Sequence, residues 1–544
     1  MINMDINSFI LTCMADEDDE AIICHPSGKR FTWKEIKERV YQLSNALYDN
    51  GVRNNDVVSI LLYNGNEIIE SLFGASMLGC VVPFVNWHSK GEELKKILEG
   101  QNTTDIIIDQ EFLRNFREIE SELEIRNIIV VGDDESEGAI LYEEMIKSYP
   151  KTVPANTVSR IGIQMFTAGT TGVPKGNNYY KMVDAILRPE AVSLDDMREE
   201  NPAVPESLMD GLPSIMSMLP GFRELEYHKH ENVLLLSAPA YHPGAIIQWG
   251  FSIFGGGKTV MMRKFDGEEF LRLIEEEKVA YAYTPPILLH RLLALSEEVK
   301  NKYDLSSLDS LICGAAYCPP KTKREINEWF GKPVYHEWYL SSDNITGVFL
   351  GPDDYLEDEL RYESCGRSTG NILILDEWGK KVKPGEIGEL WGVGLGMFTT
   401  YSGTTDRMSD KARKIGDMWY FDEGEFATMD PQGYVYIKGR KKDMIISGGV
   451  NIYPDDIERT ILKHPDVVDV AVIGIPDEEW GERVHACVQL KEGRMTKSDD
   501  IIDFCKTEGL SSYKRPRSAD ILPELPRRED GKIIKRLLKE IYGR

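Results

Sequence analysis

Apolar residues recur at helical spacing early in the chain, at Ile36, Val40, Leu43 and Leu47. Thr32 and Glu35 stand where a capping box would start that helix, and Gly51 closes it, so the pattern predicts a helix within residues 31–51. A strand is predicted over 57–62, a helix over 68–78 and a strand over 81–85. Short, almost wholly apolar runs follow at 105–108, 127–131, 233–236, 280–283 and 311–313, with helical stretches between many of them. Strands apolar throughout are covered on both faces, and their alternation with helices predicts an α/β fold built on layered, mostly parallel sheets.

The rhythm breaks twice. Residues 189–226 carry prolines at 189, 202, 205, 213 and 220 and methionines at 197, 209, 216 and 218. That composition fits a surface insertion or an adaptable lid over an apolar substrate. Near residue 440 a polar stretch, Gly439-Arg440-Lys441-Lys442-Asp443, separates two strand-like runs. Beyond it the pattern predicts a helix over 454–463, strands over 467–475 and 484–490, a helix over 498–506 and a strand over 519–522. The expected organisation is a large domain over 1–440 and a small, mobile α+β domain over 441–544.

Composition narrows the function classes. The 544 residues are 42% hydrophobic, 28% charged and 9% aromatic, as in ordinary globular proteins, and the net charge is −27. A field of that sign disfavours nucleic acid and anionic membrane surfaces, so a phosphate ligand must be held by local geometry. The eight cysteines, at 13, 24, 80, 313, 318, 365, 487 and 505, form no CxxC pair or metal spacing. They read as reduced thiols in a cytoplasmic protein. The acidic start of the chain makes a poor signal peptide, and no apolar run approaches the ~18 residues of a membrane span.

The densest chemistry lies in Thr167-Ala168-Gly169-Thr170-Thr171-Gly172-Val173-Pro174-Lys175-Gly176, which follows the apolar run 161–166. Glycines let backbone N–H groups approach an anion, and threonine hydroxyls and a lysine add donors and charge. It is not the GxxxxGK[ST] loop of nucleoside triphosphatases. The run resembles the phosphate loop of the acyl-adenylate-forming enzymes, the superfamily of acyl-CoA synthetases, peptide-synthetase adenylation domains and firefly luciferase. Similarity extends over nearly the whole chain, from FTWKEI near residue 31 to GKIIKR near residue 537, with separated motifs in the family's order.

The resemblance implies roles for further residues. Gly314-Ala315-Ala316 matches the turn that packs against adenine, and Gly314 also borders the acyl pocket. Tyr339-Leu340-Ser341-Ser342-Asp343 lies where the family has Y-G-x-T-E, so Tyr339 would stack near adenine, Ser342 would bind phosphate and Asp343 would help hold Mg²⁺. Glu425 stands where an aspartate grips both ribose hydroxyls, and Arg440 where an arginine reaches ribose or phosphate. Leu340 replaces glycine, and Asp343 and Glu425 exchange one carboxylate for another. Lys442 falls at the hinge, Gly448 and Gly449 at the loop lining the coenzyme A tunnel, Lys532 at the catalytic lysine near the C-terminus, and His242 beside the acyl pocket.

The activity so implied is an ATP-dependent acyl-CoA ligase. A carboxylic acid is activated as acyl-AMP, with Mg²⁺, Lys532, Thr167 and Lys175 stabilising charge at phosphate, and the acyl group then moves to coenzyme A. A carrier-protein pantetheine is an alternative acceptor, and a nucleotide-binding homologue without catalysis is an alternative of another class. Nothing near His242 resembles the FD-type motif whose aspartate pairs with an amino-acid ammonium, which favours an acid without an α-amine. The C-terminal wording is similar to ligases of fatty and bulky, steroid- or bile-acid-like acids. The oligomeric state stays open, a homodimer included.

Overall fold

The structure is a computed structural model that describes residues 17–133, 138–158, 160–167, 175–181, 201, 233–254, 256–341, 344, 347–368, 372–394, 400–403, 408–527 and 532–543. The first helix, Trp33–Asp49, begins at the capping box read from the sequence: the Thr32 hydroxyl accepts from the Glu35 N–H and the Glu35 carboxylate accepts from the Thr32 N–H. Its buried stripe of Ile36, Val40, Leu43 and Leu47 faces the core.

Strands Val58–Leu61, Asp105–Asp109, Asn127–Val131 and Ala139–Leu141 form a parallel sheet in that order. Their central isoleucines, 106 to 108, are fully buried. Strand Val82–Pro83 carries this layer onward by pairing with Ile163–Thr167, which turns back antiparallel into Lys175–Asn177 and then pairs with Tyr401–Ser402.

The largest sheet has two characters. Glu20–His25, Lys258–Met262, Val233–Leu236, Tyr281–Thr284, Ser310–Gly314 and Tyr335–Tyr339 lie side by side and parallel. Helices Pro243–Phe254, Gly267–Glu277, Pro286–Leu293 and Pro320–Phe330 connect successive strands. From Tyr335–Tyr339 outward the pairing becomes antiparallel, through Val348–Leu350, Gly366–Ser368, Tyr434–Arg440, Met418–Met429, Gly388–Gly392 and Ile372–Leu375. The sequence pattern marked Val233–Leu236, Tyr281–Thr284 and Ser310–Gly314 among these parallel strands, but not Glu20–His25, Lys258–Met262, Tyr335–Tyr339 or the antiparallel half. Strands such as Met418–Met429, half-buried along much of their length, lack the continuous apolar run that marked the others.

A separate sheet follows residue 444: Val450–Ile452, Ile445–Ser447, Gly481–Leu490, Val467–Asp477 and, parallel to Gly481–Leu490, Ser518–Leu522. Helices Pro454–Ile461, Ser498–Thr507 and Lys535–Tyr542 belong to it, an α+β unit with its own core around Ile457, Val472 and Val488. Among the described residues no helix is long and apolar enough to cross a membrane.

Strand Val233–Leu236 is the reversal point of the large sheet, since its two neighbours, Lys258–Met262 and Tyr281–Thr284, follow it in the chain on opposite sides. Open α/β sheets bind ligands outside the carboxyl ends of strands at such a point.

Candidate active site

His242 follows the carboxyl end of that strand, and Gly314 and Tyr339 are the last residues of the parallel strands Ser310–Gly314 and Tyr335–Tyr339, with Ala315 and Ala316 just beyond Gly314. One residue absent from the sequence reading, Tyr283, joins two of them. Its ring lies 6.3 Å from that of His242. A Cβ on Gly244 would come within 2.1 Å of its hydroxyl, and one on Gly314 within 3.4 Å. Gly314 is further constrained because that Cβ would sit 2.9 Å from the Trp338 carbonyl oxygen. The next residue, Ala315, has φ +75°, a left-handed conformation costly for a residue with a side chain. Tyr283 sat inside a predicted apolar strand, where nothing distinguished it from core. The His242 Nδ1 accepts from the Gly244 N–H at 3.2 Å.

Residues 168–174 of the glycine-threonine run lie outside the described residues, but both ends are fixed. Thr167 and Lys175 are cross-strand partners in the antiparallel hairpin. Lys175 is 2% exposed, with Nζ 3.7 Å from the Tyr401 ring centroid. A polar network ties this hairpin to the neighbouring strand: the Gln164 amide donates to Asn178 Oδ1 at 2.6 Å and to Ser402 Oγ at 2.9 Å, and Ser402 Oγ donates to Gln101 Oε1 at 2.6 Å.

Ser342 and Asp343 also lie outside the described residues. Beside them Asn344 is anchored: its N–H donates to Ser341 Oγ at 3.2 Å and its buried amide donates to the Gly392 carbonyl at 3.0 Å and to Glu423 Oε1 at 2.9 Å. Asn344 was not read as functional, because an asparagine in a polar run is an ordinary turn residue.

Glu425 is the point where the candidates converge. It pairs across the strands with Arg440, whose Nε lies 3.8 Å from Glu425 Oε1. The Tyr339 hydroxyl donates to Glu425 Oε2 at 2.9 Å. Burial holds the Glu425 carboxyl above its usual range, opposed by the positive charges of Arg440 and Lys532 and by the Tyr339 hydrogen bond, with Asp455 adding to the rise. Burial likewise holds the Tyr339 phenol well above its usual range.

The two units touch through helix Pro454–Ile461. Arg459 Nη2 donates to the Ile437 carbonyl at 2.7 Å, and its guanidinium lies 4.7 Å from the Tyr317 ring, one residue beyond Gly314-Ala315-Ala316. Tyr453 meets Phe426 edge to face, with centroids 5.2 Å apart. At the connection, Lys441 Nζ lies 2.8 Å from both Glu389 and Asp422, just before Lys442. Gly448 and Gly449 form the two-residue turn of the exposed hairpin between Ile445–Ser447 and Val450–Ile452, with φ +57° and +78°. They stand apart from Glu425 in sequence and sheet, and belong with Trp480, whose ring a Cβ on Gly448 would strike at 2.7 Å.

Among the described residues no group of three His, Cys, Asp or Glu forms a metal-binding cluster. The seven described cysteines are free and buried.

Residues 12–197 and 206–402 match the family described as AMP-binding enzyme, and residues 456–532 match the AMP-binding enzyme C-terminal domain. The chain is 27% identical to indoleacetate–CoA ligase of Aromatoleum aromaticum, over 94% of this chain and 93% of that protein. It is 25% identical to a fatty acid–acyl-carrier-protein ligase of Streptomyces coeruleorubidus, over 96% and 93%. The fold superposes on the crystal structure of the anthranilate CoA ligase AuaEII in complex with anthranoyl-AMP with a TM-score of 0.81, at 23% identity over 99% of this chain and 97% of that one.

Proposed function

We infer the chemistry from one premise: the chain belongs to the AMP-binding enzyme family. It is an AMP-forming acid–thiol ligase. The observation that carries the site assignment is the convergence on Glu425 of Tyr339, by a hydrogen bond, and of Arg440, its cross-strand partner.

We propose that Glu425 accepts hydrogen bonds from the two ribose hydroxyls of ATP, that Tyr339 and the turn Gly314-Ala315-Ala316 hold adenine, and that the hairpin loop from Thr167 to Lys175, with Ser342, holds phosphate. Mg²⁺ would supply further charge neutralisation, with Asp343 as its candidate ligand. A carboxylate oxygen of the substrate attacks the α-phosphorus, and the bond to pyrophosphate breaks. Negative charge rises on the phosphate oxygens, where Lys532 and the loop donors stabilise it. The body over 441–544 then turns about Lys442 against the body over 1–440, which withdraws Lys532 and brings Gly448 and Gly449 to the acyl group. The coenzyme A thiol attacks the acyl carbonyl, the carbonyl–oxygen bond to AMP breaks, and the thiol proton leaves to solvent.

His242, Gly314 and Tyr283 border the proposed acyl pocket. The relatives named for indoleacetate and for fatty acid support a monocarboxylic acid with an apolar body. The relative named for an acyl-carrier protein makes pantetheine on a carrier the second acceptor to test, and the cytoplasm is the proposed location. The test is AMP release from Mg·ATP across a panel of aryl, fatty and bulky acids, with free coenzyme A in one arm and a pantetheinylated carrier in the other. AMP release that requires an acid and coenzyme A is expected. Release only with the carrier would move the function to the second reading, and no AMP with any acid in either arm would overturn both.

A further inference from the structure

Lys532 lies between strand Ser518–Leu522 and helix Lys535–Tyr542, in the small unit, and its proposed work is at the phosphate site of the other unit. Three contacts of the described residues beside it bear on its placement. The Ile534 N–H donates to the Pro526 carbonyl at 2.8 Å, Arg527 and Ile533 form an antiparallel bridge, and Lys535 Nζ lies 2.8 Å from Glu458 Oε1. The ion pair is the one that leads toward the large unit. Both of its side chains are only 16% exposed. Glu458 also accepts the Val472 N–H at 2.6 Å, which fixes its carboxylate against the edge strand Val467–Asp477 of the small sheet. Burial opposes the charge of Lys535, but Glu458, Asp455 and Asp443 hold its ammonium above the usual range.

Glu458 belongs to helix Pro454–Ile461, the helix whose next residue, Arg459, grips Ile437 and Tyr317. Asp455, one turn earlier, lies against Gly439, where a Cβ would be 3.0 Å from its Oδ1. One helix therefore contacts both the strand ending at Arg440 and the lysine-bearing tail, through residues spaced to share a face.

We propose that the Glu458–Lys535 ion pair is a positioning device that registers Lys532 against Glu425 and Arg440 for the adenylation step, and has no part in thioester formation. This rests on the assignment of Lys532 to adenylation. A displacement of about 1 Å at a reacting centre costs on the order of 100-fold in rate.

The test uses full-length Lys535→Met, Lys535→Arg and the double variant Glu458→Gln/Lys535→Met, the last leaving no uncompensated buried charge. Two half-reactions are measured in each: acid-dependent pyrophosphate exchange, and thioester formation from supplied acyl-AMP. In Lys535→Met and in the double variant, exchange is expected to fall about 100-fold in kcat with KM for the acid near native. Thioester formation stays within about twofold, and Lys535→Arg recovers most of the exchange. Normal exchange in the double variant, or equal loss of both half-reactions with a lowered unfolding temperature, would overturn the proposal. Absence of exchange in the unmodified enzyme would instead overturn the proposed function, so the two failures are distinct.

Discussion

Two lysines next to glycine, both proposed to act at the candidate site, are held in opposite ways. Lys175 is built into a hairpin, 2% exposed, its ammonium over the Tyr401 ring and its strand cross-linked through Gln164, Ser402 and Gln101. Lys532 is half-buried, on a tail segment secured to a neighbouring helix by an ion pair. A fixed cation acts equally whenever phosphate is present. A cation on a separate unit can be applied for one step and withdrawn for the next. The contrast teaches that placement on a rigid or a movable support divides the work between residues of similar chemistry.

The sharpest break between the two is Lys532→Ala. Loss of a donor aimed at developing charge costs about 100- to 1000-fold, so pyrophosphate exchange should fall by that factor while thioester formation from acyl-AMP stays near native. Lys175→Met should instead lower both half-reactions together, by about tenfold, and should lower the unfolding temperature because a buried cation–π contact is lost. Equal behaviour of the two variants would erase the distinction.

Glu425 supplies a pH test of the point where the two supports meet. Its carboxyl is raised above the usual range by burial, so it takes up a proton at a higher pH than a free glutamate. The protonated form accepts poorly from a vicinal diol, and AMP affinity should weaken as pH falls through that raised range. Stability runs the other way, because a carboxyl raised on folding favours the folded state at low pH and loses that contribution as pH rises. Glu425→Gln should bind AMP roughly tenfold more weakly with little dependence on pH, as read by calorimetry from about pH 8 to about pH 5. The smallest effect is expected from Tyr339→Phe, which removes one hydrogen bond to that carboxylate, worth about 1 kcal/mol, and should raise KM for ATP about fivefold while leaving kcat close to native.

Much of this was legible in the sequence where one residue type in one place has one physical reason. The Thr32–Glu35 cap, the wholly apolar strands and the glycines at 448 and 449 each declared their geometry. Gly314 was read as part of an adenine turn, and the structure gives the local reason for a glycine there: the Trp338 carbonyl oxygen, 2.9 Å from where a Cβ would sit, leaves no room for one. What the sequence hid was pairwise. Tyr283 looked like core, Asn344 like an ordinary turn residue, and Lys535 like one more basic residue near the C-terminus. Each gains its meaning from a partner dozens of residues or more away, which periodicity and spacing cannot reveal. The antiparallel half of the large sheet was hidden for a different reason: strands such as Met418–Met429 are only half-buried along much of their length and carry no continuous apolar run.

The central claim is that the acid's own oxygen joins the α-phosphate of ATP. It is tested most directly with a carboxylic acid labelled with oxygen-18 at the carboxylate, turned over with ATP, Mg²⁺ and coenzyme A, and with the phosphate products analysed by mass. The account predicts that one labelled oxygen appears in AMP and none in pyrophosphate. Label in inorganic phosphate or pyrophosphate, with unlabelled AMP, would contradict it.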